Sequence, residues 1–329
     1  MDNEDIRKIF DEGFPAFDSQ ALSLFQFQYR HNPVYRQFAD LTCDPSAVNT
    51  TAQIPFLPVS FFKSHPVCTT VFEAAQVFES SGTTGAATSR HFVRDQSLYD
   101  EACIRGFERV YGPLHDFCFL ALLPSYLERG QSSLVYMVNR FMEKSGHPSN
   151  GFYLHNTADL ARTLHEVEAA GQKTLLIGVT YALLDFADAF PITLNHTMVM
   201  ETGGMKGRKK ELLRSEVHEQ LRAAFGVETI HSEYGMTELL SQAYATKDGR
   251  FVAPPWMKVM VGDEDDPRAL RESVDRPVTG VLHVADLANA WSCAFIATED
   301  LGRLYPDGSF EVLGRIDHSD IRGCSLLAV

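Results

Sequence analysis

Residues 117–123 read FCFLALL, and Pro124 follows at once. An apolar run of this length, closed by a proline, fits a strand buried on both faces better than a helix. Such strands belong to parallel sheets covered by helices. The pattern continues outward on both sides. Ser132 and Ser133 offer an N-cap for a helix whose Leu134, Val138 and Phe141 share one face. Residues 174–179 (TLLIGV) and 197–200 (TMVM) read as further strands. Residues 211–225 predict a helix, residues 227–230 (VETI) a short strand after it, and residues 75–78 (AQVF) a strand upstream. Alternation of strands and helices predicts an α/β domain with a largely parallel sheet.

The flanks differ in character. Residues 1–75 predict a helical, loop-rich cap, with apolar positions at Leu22, Leu24, Phe25 and Phe27 and prolines at 55, 58 and 66. Residues 76–250 form the expected α/β core. Residues 251–317 carry Gly, Pro and Asp turns between short β-rich runs, which predicts a smaller, more antiparallel β subdomain. Residues 318–329 form a tail that carries Cys324.

Composition excludes several function classes. The 329 residues include 29 basic and 43 acidic side chains, a formal net charge of −14. Such a surface repels nucleic acid, and the one basic cluster, KGRKK at 206–210, is short. Cysteines at 43, 68, 103, 118, 293 and 324 show no CxxC spacing. That argues against a zinc site or a disulfide framework and for reduced thiols in a cytoplasmic protein. The start, MDNEDIRKIF, lacks the apolar core of a signal peptide. No apolar run approaches the ~20 residues of a membrane span. The acidic GDEDD at 262–266 fits no calcium loop and reads as a solvated turn.

Three polar segments carry the chemistry. The first is ESSGTTGAATSRH at 79–91. Gly82 and Gly85 let backbone N–H groups turn toward one anion, and Ser80, Ser81, Thr83 and Thr84 add hydroxyl donors. It is neither a Walker loop nor a dinucleotide fingerprint. The second is HSEYGMTE at 231–238. Tyr234 can stack on a flat base, Thr237 can donate to a phosphate, and Glu238 offers an oxygen ligand for Mg²⁺. The third joins TEDLG, which begins at Thr298, to GRID, which begins at Gly314. Its Asp300 can hold both hydroxyls of a ribose. Taken singly, each segment is equally compatible with an ordinary turn.

In order, the three resemble the motifs of the adenylate-forming superfamily: its glycine–threonine phosphate loop, its adenine and magnesium motif, and its ribose motif with hinge. PSYLERGQSSLVYMV at 124–138 and the ending RGCS narrow the resemblance to the acyl-protein synthetase (LuxE-type) family. That family implies ATP-dependent activation of a long-chain fatty acid as acyl-AMP, transfer to a cysteine near the C-terminus, and an acyl reductase as partner. The implied roles follow residue by residue. Ser80, Ser81, Gly82, Thr83, Thr84 and Gly85 face the ATP phosphates. Gly203 and Gly204, in ETGG, admit the adenine, and Tyr234, followed by Gly235, stacks on it. Thr237 contacts the α-phosphate and Glu238 binds Mg²⁺. Asp300 binds the ribose with Arg315 beside it, and Cys324 accepts the acyl group. His231 is open to two readings, a wall of the acyl pocket or a structural histidine.

Two departures from the superfamily stand out. Its phosphate loop usually ends in Pro-Lys, whereas here Arg90 supplies the charge as a planar fork. The sequence stops twelve residues after Asp317, where a mobile domain with a catalytic lysine usually follows. The LuxE-type family shares that truncation. Cys324 lies nine residues beyond Arg315, so an extended tail reaches roughly 30 Å at ~3.3–3.6 Å per residue. Arg322 beside it favours the thiolate. Two rivals predict different outcomes. A CoA-ligase-like enzyme that transfers to CoA or a carrier protein has no need of Cys324. A non-catalytic acyl-binding subunit shows no ATP–pyrophosphate exchange.

Overall fold

A computed structural model describes residues 3–12, 16–80, 88–123, 131–154, 156–203, 212–262, 270–271 and 275–316. Its strands in chain order are β1 (Leu57–Pro58), β2 (Gln76–Glu79), β3 (Arg90–Val93), β4 (Cys118–Leu122), β5 (Gly151–Tyr153), β6 (Thr174–Gly178), β7 (Thr197–Glu201), β8 (His231–Tyr234), β9 (Ala243–Ala245), β10 (Met257–Gly262), β11 (Leu270–Arg271), β12 (Val278–Asp286), β13 (Phe295–Leu304) and β14 (Phe310–Arg315). The longer helices are α1 (Phe17–His31), α2 (Pro33–Thr42), α3 (Gln96–Tyr111), α4 (Ser133–Ser145), α5 (Thr157–Ala169), α6 (Thr180–Ala189) and α7 (Arg214–Phe225).

The first sheet runs β5-β4-β6-β7-β8-β9. Its pairs are parallel up to β8, and β9 returns antiparallel. Every residue of β4 and β6 is buried, which is why FCFLALL and TLLIGV read as continuous apolar runs. The expected strand at 227–230 lies one step early: β8 starts at His231, because the ladder with β7 begins only at the Met200–His231 pair. Helix ends follow local chemistry. Ser132 caps α4 by accepting from Val135 N, and Gly146 closes it at φ 64°, a left-handed conformation that glycine adopts without strain. Asp95 caps α3 by accepting from Ser97 N.

The second sheet runs β1-β13-β12-β10-β11, with β14 also on β13. Its pairs are antiparallel except β1 with β13. Glycines 280 and 302 let strands approach closely here: a Cβ on Gly280 would lie 2.3 Å from the Gly262 carbonyl oxygen. The two sheets meet where Phe251 bridges to Phe310 and where Trp256 Nε1 donates to Ser241 Oγ at 2.9 Å. β2 and β3 form a separate hairpin that leads into and out of residues 81–87. The carboxyl ends of β7 and β8 open toward this junction, the usual place for a ligand in an α/β sheet.

Candidate active site

The site is built from four segments remote in sequence. The hairpin supplies the first. Ser80 N donates to the Ser89 carbonyl at 3.1 Å, and Ser89 N donates back to Ser80 Oγ at 2.9 Å. This double clasp closes the neck of the phosphate-loop segment. Ser81, Gly82, Thr83, Thr84 and Gly85 themselves lie outside the described residues. Arg90 opens β3 opposite Glu79, exposed, with its guanidinium 5.7 Å from the Phe92 ring. No described contact joins it to Thr237, Glu238 or Asp300.

The end of β8 supplies the second segment. Tyr234 is buried, packs edge-on against Phe310, and donates its hydroxyl to Asp300 Oδ2 at 2.8 Å. The residues proposed for base and ribose therefore touch across the two sheets. Burial raises the Asp300 pKa, opposed by the Tyr234 hydrogen bond and by the charge of Arg315. Arg315 sits opposite Asp300 in the β13–β14 ladder and pairs with Glu299 at 3.1 Å.

Glu238 is 5% exposed. Burial raises its pKa, and a hydrogen bond with Ser89 works against that rise. Glu238 thus reaches back to the exit of the phosphate-loop segment. Thr237 is tied to the same place by another route. His91 Nδ1 donates to the Thr237 carbonyl at 2.8 Å, and His91 Nε2 lies 3.0 Å from Asn289 Oδ1. Asn289 Nδ2 in turn donates to the Glu238 carbonyl at 2.7 Å. Burial pushes the His91 pKa down to about 4, against the pull of these two hydrogen bonds. Just beyond, the buried Asp286 carboxylate accepts from Leu240 N, Ser241 N and Ser241 Oγ, at 2.9, 2.9 and 2.7 Å.

The end of β7 completes the site. Gly203 adopts φ 73°, a value that suits glycine. Its N–H donates to Glu201 Oε2 at 2.7 Å, and Thr180 Oγ1 donates to the same oxygen at 3.1 Å. Burial opposes ionisation of Glu201, but His218, Arg214, Ser232 and the Gly203 amide outweigh it and hold the pKa at about 2. Gly204 lies outside the described residues, as does Cys324. His231 stands at the opposite end of β8, with Tyr111 Oη 3.2 Å from its Nδ1, and does not line the cavity beside Thr237.

Sequence reasoning missed the supports: Glu201, His91, Asn289 and Asp286. Only Glu201 had a local signal, since it stands directly before the Thr-Gly-Gly turn. The other three act on residues roughly 45 to 200 positions away, as their partners require.

The donor set bears on the metal. Among the described residues no group of three His, Cys, Asp or Glu side chains could hold an ion. Glu238 offers one buried carboxylate with no ion pair to a described residue. That fits Mg²⁺, which binds through one or two carboxylates together with nucleotide phosphates.

Comparison with known proteins gives a consistent picture. The family model described as "Acyl-protein synthetase, LuxE" matches residues 1–328. No curated protein matches at a significant level. Among solved structures, an open conformation of 2-hydroxyisobutyryl-CoA ligase superposes with TM-score 0.66 at 14% identity, covering 93% of this chain and 70% of that one. The same ligase in its postadenylation state gives TM-score 0.67 at 15% identity, covering 92% and 68%. A long-chain-fatty-acid-CoA ligase from Archaeoglobus fulgidus gives 0.51 at 14%, covering 74% and 52%. The fold is that of the N-terminal part of adenylate-forming ligases.

Proposed function

Because the chain belongs to the LuxE acyl-protein synthetase family, we propose that it activates a long-chain fatty acid with ATP and passes the acyl group to a protein cysteine. The observation that carries this reading is the Tyr234–Asp300 hydrogen bond, which unites the proposed base and ribose contacts across two sheets. Glu238 meets Ser89 at the neck of the phosphate-loop segment.

In the first step a substrate carboxylate oxygen attacks the α-phosphorus. The bond to the bridging oxygen breaks, and pyrophosphate leaves with the electron pair. Charge gathers on phosphate oxygens, so preorganised donors dominate catalysis. The hydroxyls and N–H groups around Ser80 and Thr237 are those donors, and Arg90 adds charge at the loop's exit. Glu238 would hold Mg²⁺, whose chemistry is to neutralise phosphate charge. Tyr234 and Asp300 orient the nucleoside. In the second step the thiolate of Cys324 attacks the acyl carbon. The bond to AMP breaks, AMP leaves with the electron pair, and the thiol proton goes to solvent. The thioester then serves an acyl reductase partner, and a cytoplasmic setting suits such a thiol. No described helix is long and apolar enough to cross a membrane.

Intact mass after incubation with ATP, Mg²⁺ and labelled fatty acids tests the proposal. A hydroxylamine-labile acyl adduct is expected on the parent protein and not on Cys324→Ser. Acyl-AMP without any protein adduct would remove the carrier step and favour transfer to CoA.

A further inference from the structure

Next to Thr237 lies a cavity of about 80 Å³ whose walls combine Tyr99 and Met137 with Thr202, Glu233 and Gln242. The Gln242 side-chain oxygen and the Thr202 hydroxyl are buried and have no hydrogen-bond partner among the described residues. Glu233 is 9% exposed and Gln242 is 4% exposed. No described residue donates to the Glu233 carboxyl; its surroundings are burial and the charge of Glu201. No lysine or arginine among the described residues lines the cavity, and a second carboxylate, Glu79, stands at its rim. The fold makes room for this arrangement, because a Cβ on Gly235 would lie 2.4 Å from Glu233 Oε1.

Buried polar groups without partners are costly, and native proteins rarely keep several of them in one place. Two such atoms, with the Glu233 carboxyl beside them, mark a place where a ligand completes the hydrogen bonding. An unsubstituted alkyl chain would bury all three with nothing to bond. The Gln242 oxygen can only accept, and the Thr202 hydroxyl and Glu233 carboxyl can accept as well, so a ligand that brings a donor can meet all three. Thr237, assigned to the α-phosphate, shares the cavity. The donor therefore sits close to the reacting carboxyl group.

We propose that the activated acid carries a hydrogen-bond donor, a hydroxyl or an ammonium group, on a carbon next to its carboxyl, and that Glu233, Gln242 and Thr202 recognise it. This rests on the adenylation reading above. It refines the acid from a plain to a substituted one and makes Glu233 a specificity-determining residue. The carboxyl of Glu233, raised to about 8 by burial and by Glu201, can donate and accept toward a hydroxyl. Facing an ammonium group, it ionises and pairs. In either case the bond is made by the substrate and not by the chain.

ATP–pyrophosphate exchange measured with matched acids of one carbon skeleton tests this: unsubstituted, α-hydroxy and α-amino. A substituted acid is expected to exceed the plain acid in kcat/KM by at least about tenfold, since a site built to bond a group rejects the analogue lacking it. Glu233→Leu is expected to bring that ratio down to about one. Glu233→Gln keeps the shape and separates the two donors: it preserves preference for a hydroxyl and abolishes preference for an ammonium. Exchange that is equal or faster with the plain acid overturns the inference and leaves adenylation standing. A ratio untouched by Glu233→Leu likewise overturns it. Exchange with none of the acids overturns the adenylation reading itself, and the inference with it.

Discussion

Tyr234 donates its hydroxyl to Asp300 at 2.8 Å, so a single oxygen joins β8 to β13 at the place where the nucleoside is proposed to lie. Tyr234→Phe keeps the ring and removes that bond. Bonds to charged groups contribute about 1.5–3 kcal/mol, so the KM for ATP in pyrophosphate exchange is expected to rise about tenfold or more. An unchanged KM would separate Tyr234 from nucleotide binding. Glu233 gives a second expectation at this scale. Its carboxyl has a pKa of about 8 in the folded chain, against ~4.3 in the unfolded one. Below ~4.3 both states are protonated and its contribution to stability is fully present. Between there and 8 the unfolded chain releases the proton and the folded chain keeps it, so stability falls as pH rises. Glu233→Gln removes this slope. Thermal melts of the two proteins are expected to diverge in the variant's favour as pH rises through that window. Parallel curves would place the carboxyl in an open, solvated setting.

At the scale of elements, the hairpin β2–β3 and the turn after β8 are held as one unit. His91 in β3 donates to the Thr237 carbonyl, and Asn289, in the turn after β12, fixes the Glu238 carbonyl from the other side. His91→Ala leaves a buried carbonyl without its donor, at a cost of about 1–3 kcal/mol. The turn that presents Thr237 and Glu238 also loosens, and small misplacements of catalytic groups are expensive in rate. Denaturant unfolding is expected to show the stability loss, and exchange assays a fall in kcat of about tenfold or more. Lower stability with full kcat would make His91 a packing residue alone. Much of this scale was legible beforehand. FCFLALL and TLLIGV announced fully buried strands, and Ser132 announced a helix start, because periodicity and capping are local. The later start of β8 was not legible, since its first residue is set by a ladder with β7.

For the molecule as a whole, the proposed nucleotide site lies where two sheets meet. A ligand bound there contacts both and stabilises the folded state by mass action. ATP at about a hundred times its Kd is expected to add about 2.7 kcal/mol, read as a rise in Tm. Asp300→Ala is expected to abolish the rise. A rise that survives this change would move the nucleotide to another site. The sequence by itself determined the α/β class, the order of the three polar motifs and the family likeness, because these depend on short windows of residue type and spacing. Only the tertiary structure decided that Tyr234 meets Asp300, that His91 and Asn289 hold the Thr237–Glu238 turn, and that Glu233, Gln242 and Thr202 line one cavity. Those facts depend on which residues the chain brings together across tens to hundreds of positions. Burial, which shifts the carboxyls, exists only once the sheets have packed.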